Sequence, residues 1–249
     1  MTTDLAASPD HLRLLRGLQD DFLATVPTVD PGVPVPWCGR WRVRDLVVHL
    51  ARVHHWAAAQ ARRGREVPLG RGPFDLVDLY GTCAAELYDT LVALGPDAPA
   101  STLLGPGPAS FWHRRQLHET LVHLWDLRTA GGLPLDVDPA VWADTVDEVV
   151  TVMQPRQEAM GRMAPLPAPV ALVATDADRT WSLGGRRARD ALLGGGRAAD
   201  ARPPAVTVRA PARDLALLVW GRRTPDDTGF AVEGDRAALD DALARPLTP

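Results

Sequence analysis

Residues Gln116–Leu127 read QLHETLVHLWDL. Leu117, Leu121 and Leu124 recur at helical spacing, and Gly131-Gly132 downstream is a strong C-terminal stop. The spacing predicts a helix from Ser110 to Ala130, with the leucine stripe against the core. Residues four apart on a helix differ by about 40° around its axis, so Glu119 and His123 share a face nearly opposite that stripe, roughly in line with Trp112, Gln116 and Ala130. His118 and His123 are five apart, about 140° around the axis, too far to share one ion. The stretch therefore misses the H-E-x-x-H zinc-protease pattern by one residue, and the usable pair is Glu119 and His123.

Spacing alone leaves two readings of that pair open, a surface ion pair and two ligands of a metal. Two ligands hold a divalent ion poorly. A catalytic zinc takes three protein ligands and keeps a fourth position open. The third candidate is His49, in RDLVVHLARVHHW, set among Leu46, Val47, Leu50 and Val53. It faces either the interior, as a hydrogen-bonded core residue, or a cleft, as a ligand. Asp45, one turn earlier, is placed to accept a hydrogen bond from a ligating imidazole and fix its tautomer. Asp126 stands three residues after His123 and Arg115 four before Glu119, each a supporting group or ordinary helix surface. His54 and His55 read as exposed or supporting, Cys38 and Cys83 as buried small apolar residues, and Trp56 and Trp112 as pocket wall or core. Arg52, one turn beyond His49, is a candidate for an anionic substrate group. Arg222 is another, with a plain surface arginine as the competing account.

Helices fill the sequence on either side. A first helix is expected in SPDHLRLLRGLQDDFLATV, with Ser8 as N-cap and Pro9 in its first turn. The Pro-rich PTVDPGVPVPWCGRW connects it to a second, VRDLVVHLARVHHWAAAQARR. A third, PFDLVDLYGTCAAELYDTLVAL, ends at Gly95-Pro96, and GPDAPASTLLGPGPAS is expected to be a loop. DPAVWADTVDEVVTVMQ is a fifth helix. Long amphipathic helices with short connections predict a helical bundle. The texture changes at Ala164–Val170, the expected linker. After it VALVATD, RTWSL, AVTVRA and GFAVEGD read as strands, and PARDLALLVWGRR and RAALDDALARP as helices. The expected organisation is α+β: a helical domain over 1–163 and a small α+β domain over 170–249. LLGGGRAADARPP is the one low-complexity piece, expected as a loop.

Of the 249 residues, 46% are hydrophobic and 23% charged, which suits a packed core. A net charge of -4 argues against an electrostatic nucleic-acid binder. All 27 basic residues are arginine, and Lys, Asn and Ile are absent, the codon signature of a GC-rich genome. Two cysteines and an N-terminus without the pattern of a secretory leader lead us to expect reduced thiols in the cytoplasm. No apolar run approaches the ~18 residues of a membrane span. There is no G-x-S-x-G elbow and no ordered Gly-rich phosphate loop.

The series WRVRDLVVHLARVHHWA, RRQLHETLVHLWDL, LVATDADRTWSL and ARDLALLVWGR resembles, in order and over nearly the whole chain, the mycothiol-dependent maleylpyruvate isomerase family of the wider DinB-like metal-binding superfamily. The resemblance implies a DinB-like four-helix bundle with a His, Glu, His metal site, here His49, Glu119 and His123, and a sterol-carrier-like C-terminal domain. It implies a divalent metal, zinc first among the choices, and mycothiol as cofactor. The activity implied is isomerisation or S-transfer, with a thiolate adding to a small electrophilic substrate. A metal-dependent hydrolase using bound water and a non-catalytic metal- or ligand-binding protein are the alternatives.

Overall fold

The structure is a computed structural model, described here over residues 10–185 and 202–249. It divides into two compact units, Met1–Leu135 and Asp136–Pro249.

The first unit is built on four helices: α1 (His11–Thr25), α2 (Val43–Ala61), α3 (Leu76–Leu94) and α4 (Ser110–Ala130). Helix α1 packs on α4, α4 on α2, α2 on α3 and α3 on α1, which closes a ring of four. Helices α1 and α3 begin at aspartate caps. The α1 N-cap is Asp10, whose Oδ1 accepts from the Arg13 N–H at 3.1 Å. The expected capping residues Ser8 and Pro9 lie outside the described residues. Asp75 caps α3 by accepting from Val77 and Asp78 N–H, and Gly95 at φ 73° ends it. The expected loop between α3 and α4 contains a hairpin instead, β1 (Pro99–Thr102) paired antiparallel with β2 (Gly105–Pro108). Helix α4 spans the residues its leucine pattern predicts, and Leu117, Leu121 and Leu124 are fully buried. On α2, Leu46, Val47, Leu50, Ala57, Ala58 and Ala61 are likewise buried.

The second unit starts with α5 (Pro139–Glu148), which runs on through a π turn at Val149–Met153 into α6 (Gln154–Ala159). A sheet follows in the order β4 (Thr180–Leu183), β3 (Val170–Ala174), β5 (Val206–Ala210), β6 (Ala231–Gly234). The β3–β5 pairing is parallel and the other two antiparallel. Alternation sets one buried face: Leu183, Val170 and Val206 align across the sheet, and Trp181, Leu172 and Val208 align beside them. Helices α7 (Ala212–Val219) and α8 (Arg236–Leu243) pack on β3 and β5.

The linker expected at Ala164–Val170 is not where the chain divides. Helix α5 packs on α7, and the Trp181 Nε1–H donates to Asp147 Oδ1 at 3.1 Å, so the fifth helix belongs with the sheet. Its buried Val141, Trp142 and Val146, with Val149 of the π turn, go into the second core. Most of the low-complexity segment lies outside the described residues. No described helix is long and apolar enough to cross a membrane.

Candidate metal centre

Helices α2 and α4 pack side by side, and their facing turns carry the polar residues of the site. His49 from α2 and Glu119 and His123 from α4 each offer one ligand atom, all within 4.8 Å of one another. The Nε2 atoms of His49 and His123 lie 3.5 and 3.4 Å from the same oxygen, Glu119 Oε1. The imidazole rings are nearly perpendicular, with centroids 5.1 Å apart. Exposure is graded: the side chain of His123 is 6% exposed, Glu119 15% and His49 35%. The site therefore reaches solvent on the His49 side.

Each ligand has a supporting contact. The His123 Nδ1–H donates to Asp126 Oδ2 at 2.9 Å, which leaves Nε2 as the unprotonated ligand nitrogen of the neutral ring. Asp126 is fully buried and also accepts from the Cys38 thiol, with Sγ 3.6 Å from the same Oδ2. Arg115 Nη2 donates to Glu119 Oε2 at 2.5 Å. The Trp41 ring lies against His49, with centroids 4.7 Å apart.

These contacts set the protonation states. Burial works against ionisation of Glu119, but the Arg115 guanidinium and then the two histidines outweigh it and hold the carboxyl well below the usual carboxylate range. Burial works against charge on His123 too. Its bonds to Asp126 and Glu119 prevail and push it up to about 9. Burial wins outright at His54, which falls to about 4. A carboxylate and two imidazoles, one backed by a second carboxylate, form a donor set that fits zinc and other divalent ions of similar preference.

Several expectations are revised. Asp45 does not orient His49. It closes the first turn of α2, its Oδ2 accepting from the Arg42 N–H at 2.9 Å. His54 is not exposed: it is fully buried, with Nδ1 2.8 Å from Gln116 Oε1. His55 is half-buried between Glu86 and the Val67 carbonyl. Cys83 is buried as expected, but Cys38 is half-buried and takes part in the site. Trp112 is core, its Nε1–H donating to Ser101 O at 2.8 Å and its ring edge-on to Trp56. His118 is buried away from the ligands, edge-on to His11. Arg52 is exposed and donates to Gly70 O. Arg222 follows α7 in the second unit and donates to Trp220 O. Sequence reasoning missed the parts played by Cys38 and Trp41. The cluster WCGRW in the Pro-rich connector was the available signal.

Residues 12–128 match the family described as the mycothiol maleylpyruvate isomerase N-terminal domain, and residues 136–241 its C-terminal domain. The chain belongs to the mycothiol-dependent maleylpyruvate isomerase family. The two matched segments meet where the two compact units divide. A solved structure of a mycothiol-dependent maleylpyruvate isomerase has the same fold, with a TM-score of 0.62 at 17% identity, covering 94% of this chain and 97% of that one. A mutant of that isomerase gives a TM-score of 0.63 at 16% identity with the same coverage. Uncharacterised proteins from two strains of Mycobacterium tuberculosis, CDC 1551 and H37Rv, are each 28% identical over 161 residues, or 61% of this chain and 85% of theirs. As a member of the isomerase family, the chain is a maleylpyruvate isomerase-like protein.

Proposed function

We propose that His49, Glu119 and His123 bind a divalent ion, zinc foremost, and that the protein uses this centre to activate mycothiol for attack on a small electrophile. The observation that carries the reading is the convergence of three donor atoms from two packed helices, within 4.8 Å of one another. Family membership supports the choice of thiol.

The ion supplies positive charge that favours thiolate over thiol, whose ordinary pKa of about 8.5 leaves it mostly protonated at neutral pH. The chain's own residues prepare for this. Arg115 keeps Glu119 ionised, and Asp126 holds His123 with Nε2 toward the site. The partial exposure of His49 gives a small molecule a way in. A thiolate that adds to an activated double bond, allows rotation and leaves again gives isomerisation. One that stays attached gives S-transfer. Either way the protein need supply no nucleophile of its own. We assign Arg52 to an anionic group of the substrate, on the ground that it stands exposed one turn beyond His49.

Elemental analysis of the purified protein beside His49→Ala and His123→Ala, followed by mycothiol titration of the zinc-loaded form, tests the reading. The expected result is about one ion per chain in the wild type, loss in both variants, and thiol binding that releases a proton. Stoichiometric metal without thiol binding would point to a hydrolase. A protein unable to take up zinc would end the proposal.

A further inference from the structure

One short connector touches the His49 ring itself and the support of His123, although the two ligands come from different helices. It runs from Val33 to Val43 between the first helical segment and α2. Its ends are joined by the Val43 N–H to Val33 O at 2.9 Å and the Val35 N–H to Trp41 O at 2.9 Å. Inside it the chain turns tightly: Trp37 has φ 70° and Gly39 φ 63°. A left-handed tryptophan is uncommon and costs of order 1–2 kcal/mol in backbone strain. Its side chain does not explain the cost, because Trp37 is 52% exposed. The next residue does. Cys38 is brought 3.6 Å from Asp126 Oδ2, the oxygen that accepts from His123 Nδ1. On the far side of the turn, the Trp41 ring lies against His49.

We propose that the Val33–Val43 connector is a clamp that sets the geometry of the metal centre, with Cys38 and Trp41 as positioning residues. Cys38 acts through Asp126 on His123, and Trp41 acts directly on the His49 ring. Asp126 Oδ2 receives two donors, a ring N–H and a thiol S–H, so the carboxylate is held from two directions and cannot rotate without losing one. His49 is the most exposed ligand and stands on a separate helix. The Trp41 ring restricts the swing of its imidazole. The inference rests on the metal reading given above and adds to it residues far from the ligand motif in sequence.

The test uses the full chain as Cys38→Ala, Trp41→Ala, Trp41→Phe and the double alanine variant. Two quantities are read: the zinc dissociation constant, by competition with a chromophoric chelator, and the visible spectrum of the cobalt-loaded protein, which reports ligand geometry. Residues that orient metal ligands are worth roughly 10- to 100-fold in metal affinity. Cys38→Ala and Trp41→Ala should each weaken zinc binding about 10-fold and alter the cobalt bands. Because they act on different ligands, the double variant should lose about the product of the two. Trp41→Phe keeps a ring against His49 and should restore most of the affinity. Far-UV circular dichroism identifies any variant that does not fold. Should Trp41→Ala fail, Cys38→Ala and Trp41→Phe still decide the matter. Wild-type protein that binds zinc, beside a Cys38→Ala variant with unchanged affinity and spectrum, overturns the clamp and leaves the metal centre standing. Wild-type protein that binds neither zinc nor cobalt overturns both.

Discussion

Arg115 Nη2 and Glu119 Oε2 lie 2.5 Å apart one turn along α4, and the other carboxylate oxygen faces both histidines. The two oxygens of one side chain are thus divided, one for the candidate ion and one for a fixed cation. The pair is largely buried, with side-chain exposures of 4% and 15%. Removing one partner of such a pair strands a charge and costs about 3–5 kcal/mol. Arg115→Met should therefore lower the stability of the metal-free protein at pH 7, but by less than that, because protonated His123 still faces Glu119 Oε1; urea unfolding reads the difference. Glu119 has a depressed carboxyl, so the stability it contributes is present above its unfolded value of 4.5 and is lost as pH falls through the folded value. The gap between wild type and variant should close on acidification. A gap that stays constant below pH 4 would show that Arg115 acts by packing rather than by charge.

Gln116 stands next to the ligand turn and serves the core rather than the ion. Its Oε1 lies 2.8 Å from His54 Nδ1, and both side chains are buried. Gln116→Leu preserves volume but leaves the ring nitrogen without that partner, which costs about 1–3 kcal/mol. The expected outcome is a lower melting temperature with zinc stoichiometry unchanged. Loss of zinc at full stability would place Gln116 in the site.

The second unit has its own weak point at Gly234. This residue pairs with Val206 at the end of β6 and has φ 109°. A Cβ there would lie 2.5 Å from the Ala205 carbonyl oxygen, which is backbone and cannot move aside cheaply. Gly234→Ala combines that clash with a disfavoured backbone angle and should cost at least about 2 kcal/mol. All three candidate ligands lie within the first unit, so the variant should still bind zinc through them. An unchanged denaturation midpoint would show that the strand end adjusts.

Much of this was legible in the sequence. Helix α4 was readable because its leucines keep a strict period and Gly131-Gly132 ends it. The triad was readable because i, i+4 spacing and a histidine amid α2 leucines both carry geometric meaning. The hairpin at Pro99–Pro108 was not, because Gly and Pro fill β2 and neither strand has an alternating apolar pattern. The domain boundary was misread for a different reason. The apolar period of α5 predicts a helix but does not say which core receives it, and the prolines of Ala164–Val170 look like a linker. Cys38 meets Asp126 across 88 residues of chain, a contact that no local pattern reports.

Two buried histidines with opposite shifts make a further prediction about pH. His123 is raised from 6.5 to about 9, so the stability it contributes is full below pH 6.5 and is lost as pH rises toward 9. His54 is lowered from 6.5 to about 4, so its neutral burial is harmless above pH 6.5 and costs stability as pH falls toward 4. Each effect is worth at most about 3 kcal/mol. His55 is also raised: burial opposes its charge, but its bonds to Glu86 and the Val67 carbonyl outweigh that, adding to the alkaline loss. The metal-free protein should therefore be most stable near pH 6.5 and weaken on both sides. His123→Ala should flatten much of the alkaline limb and leave the acid limb in place. Zinc should also reshape the curve, because ligation requires neutral His123 and so exchanges a bound proton for the ion. Calorimetry at pH 7.5, in buffers of different ionisation enthalpy, should count about one proton released from His123 for each zinc bound. Zinc binding with no proton released would mean that the ring is already neutral and that Asp126 orients it without charging it.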